Sequence, residues 1–251
     1  YNEVYCQPTI VGTDNFNTVI YSGDGNNRDI DAGLESDFVW IKERSDSAGY
    51  WHYLFDSIRG GNKPLHSNAT NAESVDDNNG YLSSFNNDGF SITSGSLGMN
   101  SLNGSGKTYV AWNWYAPTSQ TNNLGDVTGT IKKNVDAGFS IVKYTASAAQ
   151  TVGHGLDGAP DLIIKKPLST EDWLIYSSIA GTGKYQSFTR NEQGGGAGTD
   201  GFVTRGNSFP TVNSTVFSDN WTSGSLTYIA YCFKSVDGYQ KIGSYTGSGS
   251  S

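Results

Sequence analysis

The sequence predicts an all-β protein made of two tandem antiparallel β-sandwich modules of jelly-roll, concanavalin-like type. Three observations carry this expectation: an aromatic, turn-rich composition, strand-length runs bounded by turn residues, and an internal repeat. The 251 residues include 32 Gly, 15 Tyr, 11 Phe and 6 Trp, while charged residues make up only 16%. Aromatic side chains suit a pleated, half-buried surface, and Gly, Asn and Asp suit the turns between strands. Disordered chains show the opposite balance, rich in charge and poor in aromatics.

In the first half, strand-like runs fall at 16–22, 37–42, 52–58, 81–85, 89–93 and 108–115, with shorter ones near 29–32 and 64–67. Each is flanked by Gly, Asn, Asp or Ser clusters, and Asn87-Asp88-Gly89 is a hairpin signal. The nearest approach to a helical pattern is 67–77, and it lacks a sustained apolar period.

The second half repeats this order. The pairs Phe16/Phe139, Asp37/Asp161, Leu54/Ile175 and Thr108/Thr227 open matching blocks, at separations of 123, 124, 121 and 119 residues. A near-constant offset in matched order marks duplicated supersecondary units. The expected organisation is a first module at 1–115, a linker at 116–136 with one short strand near 129–132, and a second module at 137–251. The segment 241–249 resembles 19–25, so it reads as a further repeat or as a strand completing the second module. The chain starts without Met and without a signal peptide, which reads as a piece of something longer.

With 16 Lys and Arg against 24 Asp and Glu, the net charge is −8. That balance argues against nucleic acid, which needs a cationic face, and against an anionic membrane surface. No apolar run approaches the ~18 residues of a membrane span. Cys6 and Cys232 stand far apart and read as unpaired thiols, too few for a zinc site.

The blocks themselves resemble a known repeat. Phe38-Val-Trp-Ile-Lys42, Leu54-Phe-Asp-Ser-Ile-Arg-Gly60, Asn86-Asn-Asp-Gly-Phe90 and Gly104-Ser-Gly-Lys-Thr-Tyr-Val-Ala-Trp-Asn-Trp114 resemble repeat modules of tail-fibre and tail-associated proteins of marine bacteriophages, cyanophages among them. Ala137-Gly-Phe-Ser-Ile-Val142, Thr151-Val-Gly-His-Gly-Leu156, Pro160-Asp-Leu-Ile-Ile164 and Gly238-Tyr-Gln-Lys-Ile-Gly-Ser-Tyr-Thr-Gly247 resemble the companion pattern. The likeness spans nearly the whole chain and departs from it in the Gly-rich stretch 183–213. It implies a virion appendage at the virion surface, in contact with other virion proteins, that either binds a host-surface glycan or receptor or serves as a structural spacer. It also implies symmetric assembly, commonly a homotrimer in fibre proteins. No catalytic set comes with it.

Motifs for chemistry are sparse. Ser105-Gly106-Lys107-Thr108 resembles the end of a phosphate loop, but Ser101 stands where that loop needs Gly and a strand pattern follows, so it reads as a turn. Glu35-Ser36-Asp37 begins an alternating acidic strand, but Val39 and Trp40 end it, leaving a jelly-roll polysaccharide-degrading glycosidase as the alternative without a signature. Glu43, Asp46, Asp76, Asp77, Glu171 and Asp172 read as solvated turn charges. His154 reads as a turn histidine bonded to backbone. The oxygen-rich loops carrying Asp24 and Asp29, and Asp76 and Asp77, are candidate calcium ligands, the one cofactor considered. Tyr50, Trp51 and Trp221 beside polar turns are candidate carbohydrate-stacking residues. Trp112 and Trp114 share a strand face and read as core.

Overall fold

The computed structural model describes residues 11–45, 51–75, 78–96, 101–147, 150–188, 203–204, 209, 211–219 and 224–246. All the sheets are antiparallel. The first half holds β1 (Phe16–Ser22), β2 (Arg28–Asp31), β3 (Phe38–Glu43), β4 (His52–Asp56), β5 (Gly60–Leu65), β6 (Tyr81–Asn86), β7 (Gly89–Thr93) and β8 (Thr108–Trp114). A large sheet orders β1-β8-β3-β4-β5, and a small one orders β2-β7-β6. Alternation sends Val39, Ile41, Phe55, Tyr109 and Ala111 inward to meet Ile30, Leu82, Phe90 and Ile92 of the small sheet. The expected hairpin at 87–89 joins β6 to β7, and a Cβ on Gly89 would collide with the Ile30 carbonyl oxygen.

The second half holds β9 (Thr118–Asn122), β10 (Gly129–Asn134), β11 (Phe139–Ala146), β12 (Gln150–Gly153), β13 (Leu162–Pro167), β14 (Leu174–Ser177), β15 (Lys184–Tyr185), β16 (Val203–Thr204), β17 (Val216–Asp219) and β18 (Leu226–Phe233). Its large sheet orders β14-β13-β18-β11-β10-β9, with β12-β17 and β15-β16 as short pairs. The stretch 116–136 is therefore not a free linker. It forms β9 and β10, which extend this sheet past β11, with Ile131 buried in the second core.

The duplication is visible at the level of single bonds. The order β1-β8-β3-β4 recurs as β11-β18-β13-β14. Asp37 N–H donates to Trp114 O, Ser57 N–H to Asp37 O, and the Asp37 carboxylate accepts from the Ser57 hydroxyl and the Ala116 N–H. Asp161 repeats each contact with Phe233, Ser178 and Ser235. The stacked pair Tyr21 and Tyr109 recurs as Tyr144 and Tyr228, with ring centroids 5.1 and 5.2 Å apart.

Each half has one more apolar face than a single sandwich needs, and those two faces bury each other. Phe38, Leu54 and Leu65 of the first large sheet form one cluster with Phe139, Ile141, Ile229 and Tyr231 of the second. Phe38 stacks on Tyr231 at 4.1 Å, and Trp114 meets Phe139 and Phe233. The strands of the two sheets cross. Along β3, Asp37 reaches Lys132 of β10, Phe38 reaches Phe139 of β11 and Tyr231 of β18, and Trp40 reaches Phe188 beyond β15.

Inside this interface lies a buried polar nucleus. Arg59 donates from Nε to Asp56 Oδ2 at 2.5 Å, both side chains fully buried, and Tyr231 donates its hydroxyl to the same oxygen at 2.8 Å. The guanidinium also donates to Lys63 O and Leu54 O, and Glu73 lies 3.6 Å away. Burial works against the Arg59 charge, but Asp56, Tyr231 and Glu73 outweigh it and hold the guanidinium above its ordinary range. The segment after β5, over its described residues to 75, forms no helix. Thr70 O accepts from Glu171 N–H, and Glu73 N–H donates to Leu168 O, so two of its backbone bonds go to the second half.

Several other expectations change. Glu43 is buried and pairs with Lys107 at 3.3 Å, and Asp172 is buried, so neither is a solvated turn charge. At the C-terminal side, Gln240 Nε2 donates to Ala137 O and Lys234 O, and Ile242 packs on the shared cluster. Residues 241–246 form no strand; Ile242 N–H donates to the Ser235 hydroxyl, and the residues after it are exposed. Cys232 is a buried free thiol, pushed up to about 12 by burial, and Cys6 lies outside the described residues.

Two predictions follow from the interface. Asp56→Ala strands a buried guanidinium and should cost about 3–5 kcal/mol in urea unfolding. The two halves should still unfold in one transition, because separating them would expose the apolar face that each buries on the other. The second concerns Lys166, a buried side chain whose ammonium donates to the carbonyls of Pro167 and Ser169. Burial pushes it down to about 8, against the pull of Glu171 and Asp172 and with the push of Arg59. The unfolded chain keeps this proton to roughly pH 10.4. Stability should therefore be lowered below pH 8 and rise by up to about 3 kcal/mol as the pH climbs from 8 towards 10.4. Urea titrations at pH 7.5 and 9.5 should show the rise in the wild type and a flat response in Lys166→Met.

Candidate functional site

The outward face of the first large sheet carries three cross-strand rows. They are Phe16, Trp114, Phe38 and Asp56, then Thr18, Trp112, Trp40 and Leu54, then Ile20, Val110, Lys42 and His52. Because the sheets cross, the second half covers the first row and the β4 side of the second. The β1 and β8 side of the outer rows emerges at the rim. Trp40 and Trp112 are half-buried there, Thr18 is exposed, and Ile20 is 62% exposed.

The result is an aromatic shelf on a rigid sheet. Trp40 and Trp112 meet edge to face at 6.2 Å, and Phe188, 42% exposed, closes on the Trp40 edge from the second half. The indole N–H of Trp40 donates to His52 Nδ1 at 2.9 Å, which fixes the ring. Burial and the neighbouring Lys42 hold the imidazole below its ordinary value, so His52 is neutral and can accept. Lys42 supplies a cation and Thr18 a hydroxyl at the margin. Flat apolar rings beside polar groups can stack on the C–H face of a sugar while hydrogen bonds set its orientation.

Of the residues singled out in the sequence, Trp51 is 44% exposed and packs edge-on against His66 at 4.4 Å, outside the shelf. Tyr50 and Trp221 lie outside the described residues, as do Asp76 and Asp77. Asp24 does not face Asp29. Its carboxylate caps Asn26 N–H, accepts from Asn103 Nδ2 at 2.6 Å and lies 3.7 Å from Arg28. The Asn26 N–H, Asn103 and Arg28 together hold that carboxyl below its usual range. Asp29 sits on β2 and accepts from the Ser91 hydroxyl. Among the described residues, no three His, Cys, Asp or Glu side chains converge as a metal group would require. His154 is buried between backbone groups, Nε2 against Asn213 O and Nδ1 accepting the Leu156 N–H.

The buried carboxylate Asp56 is committed to Arg59 and Tyr231, which gives it a packing role. Sequence reasoning missed the shelf. The signal present was Trp40 and Trp112 on alternate positions of paired strands, but alternation gives the face and not which end of that face is covered.

A family model for a domain of unknown function, DUF7483, matches residues 11–251. The chain belongs to the DUF7483 family. That one model spans both repeats, in keeping with the buried face they share. No curated protein and no solved structure matches the chain.

In this DUF7483 domain, protonating His52 would remove the acceptor of Trp40 and place a second cation beside Lys42. The depressed imidazole contributes stability above about pH 6.5 that is lost as the pH falls below it. Tryptophan fluorescence should therefore shift as the pH falls below about 6.5, and a Trp40→Phe variant should lose that transition.

Proposed function

We propose that this chain is the glycan-binding part of a phage virion appendage, tail-fibre-like, displayed at the virion surface and directed at a host cell-surface glycan or receptor. The observation that supports it best is the Trp40 and Trp112 shelf, held on a sheet whose other end is locked under the second half. A preorganised aromatic surface loses little side-chain entropy on binding. The likeness of the repeat blocks to tail-fibre modules supplies the setting: a jelly-roll scaffold, other virion proteins as neighbours and a homotrimeric assembly.

A second reading, a structural spacer, is favoured by one feature. The two repeats share a continuous apolar core, which suits a stiff rod segment. Binding separates the two. On a glycan array and on host cells, the wild-type chain should bind. Trp112→Ala should weaken that binding by about tenfold with an unchanged melting temperature, and Trp51→Ala should leave it intact. Wild-type chain that binds neither array nor cells would leave the spacer reading.

A further inference from the structure

We propose that a polar cleft where the two halves meet takes an anionic saccharide unit, a uronate or a sulfated sugar, on the Lys143 ammonium. The cleft has a volume of about 600 Å³ and lies between Ser57 of the first half and Ser119, Thr130, Lys132, Lys143 and Thr227 of the second. None of its lining side chains among the described residues is acidic. In a chain of net charge −8, that is a local reversal of sign.

The two lysines differ. Lys132 is paired with Asp37, which also accepts from the Ser57 hydroxyl, so its charge is answered within the wall. Lys143 stands on the central strand β11, between Thr130 of β10 and Ile229 of β18, half-buried. It meets no carboxylate among the described residues. Its stem is partly covered by the neighbouring strands while its ammonium is left to the cleft, where a ligand carboxylate or sulfate would give it an anion. Around it stand the hydroxyls of Thr130, Ser119 and the Thr145 and Thr227 pair, 2.9 Å apart, which suit sugar hydroxyls.

The duplication isolates this feature. The position matching Lys143 in the first half is Ile20, in the same row of the equivalent sheet. The first large sheet ends at β1, whereas the second continues through β10 and β9, which build the cleft wall. The lysine and the added wall occur together in one half and are both missing from the other.

This inference rests on the reading of the chain as a glycan-binding module and names a second contact for it. The test is isothermal titration of the chain with tetragalacturonate, a sulfated tetrasaccharide and neutral maltotetraose, at low and high salt. At least one anionic probe should bind more tightly than maltotetraose and weaken as salt rises; the tighter of the two names the anion. Lys143→Gln and Lys143→Ile should each lower that affinity about tenfold without moving the melting temperature. Equal affinity for charged and neutral probes, unchanged binding in both variants, or no binding of either anionic probe overturns the cleft. Trp112→Ala in the same titrations separates the two ideas. Neutral-glycan binding that it abolishes, with Lys143 variants unaffected, keeps the shelf and removes the cleft. Absence of all glycan binding removes both.

Discussion

Phe38 lies face to face with Tyr231, and the hydroxyl of that same tyrosine reaches across to Asp56 in its buried pair with Arg59. This contact joins the first repeat to the second, and much else depends on it. An apolar sheet face of this size exposed to water would be an aggregation hazard, so the repeats cover one another. The polar nucleus contributes less to raw stability than the aromatic packing around it, because both charges are desolvated. Its geometry ties the sheets together: the Tyr231 hydroxyl of the second half donates to the same Asp56 oxygen that takes Arg59.

The crossing of the two sheets goes with that seat and leaves both of the surfaces proposed for binding. Strands that cross cannot cover each other along their whole length. On one side the outer rows of the first sheet emerge, giving the Trp40 and Trp112 shelf. On the other the second sheet runs on through β10 and β9 and encloses the cleft beside Ser57. Shelf and cleft are thus complementary leftovers of one packing arrangement. They differ in chemistry because the repeats differ at matched positions: Trp112 against Tyr231, Trp40 against Ile164, and Ile20 against Lys143.

The Asp37 and Asp161 hubs show what the duplication preserved. Each aspartate ties the start of one strand to the end of its neighbour and to the following turn, through bonds that recur in both halves. In the first half the hub gained an interface role, because Asp37 also takes the Lys132 ammonium from β10. A repeat-level structural bond was thereby reused to join the repeats.

Alternation and turn residues by themselves determined the strand-and-turn character, the positions of β1, β7 and β8 to within a residue, and the duplicated order, because these are local or periodic properties. The sequence likewise marked His154 as a backbone-bonded turn residue. It read 116–136 as a linker with one short strand near 129–132, which is β10, and it missed β9, since β9 is entirely polar and its edge position hides any apolar period. It placed Trp112 and Trp114 together as core; both are half-buried, and only the tertiary structure separated them, packing Trp114 on Phe139 and Phe233 of the second half and leaving Trp112 at the rim. Which part of a sheet face is covered depends on where a distant sheet lies and at what crossing. That is a long-range packing outcome, set here by Phe38, Tyr231 and the Asp56 pair, and no local pattern encodes it.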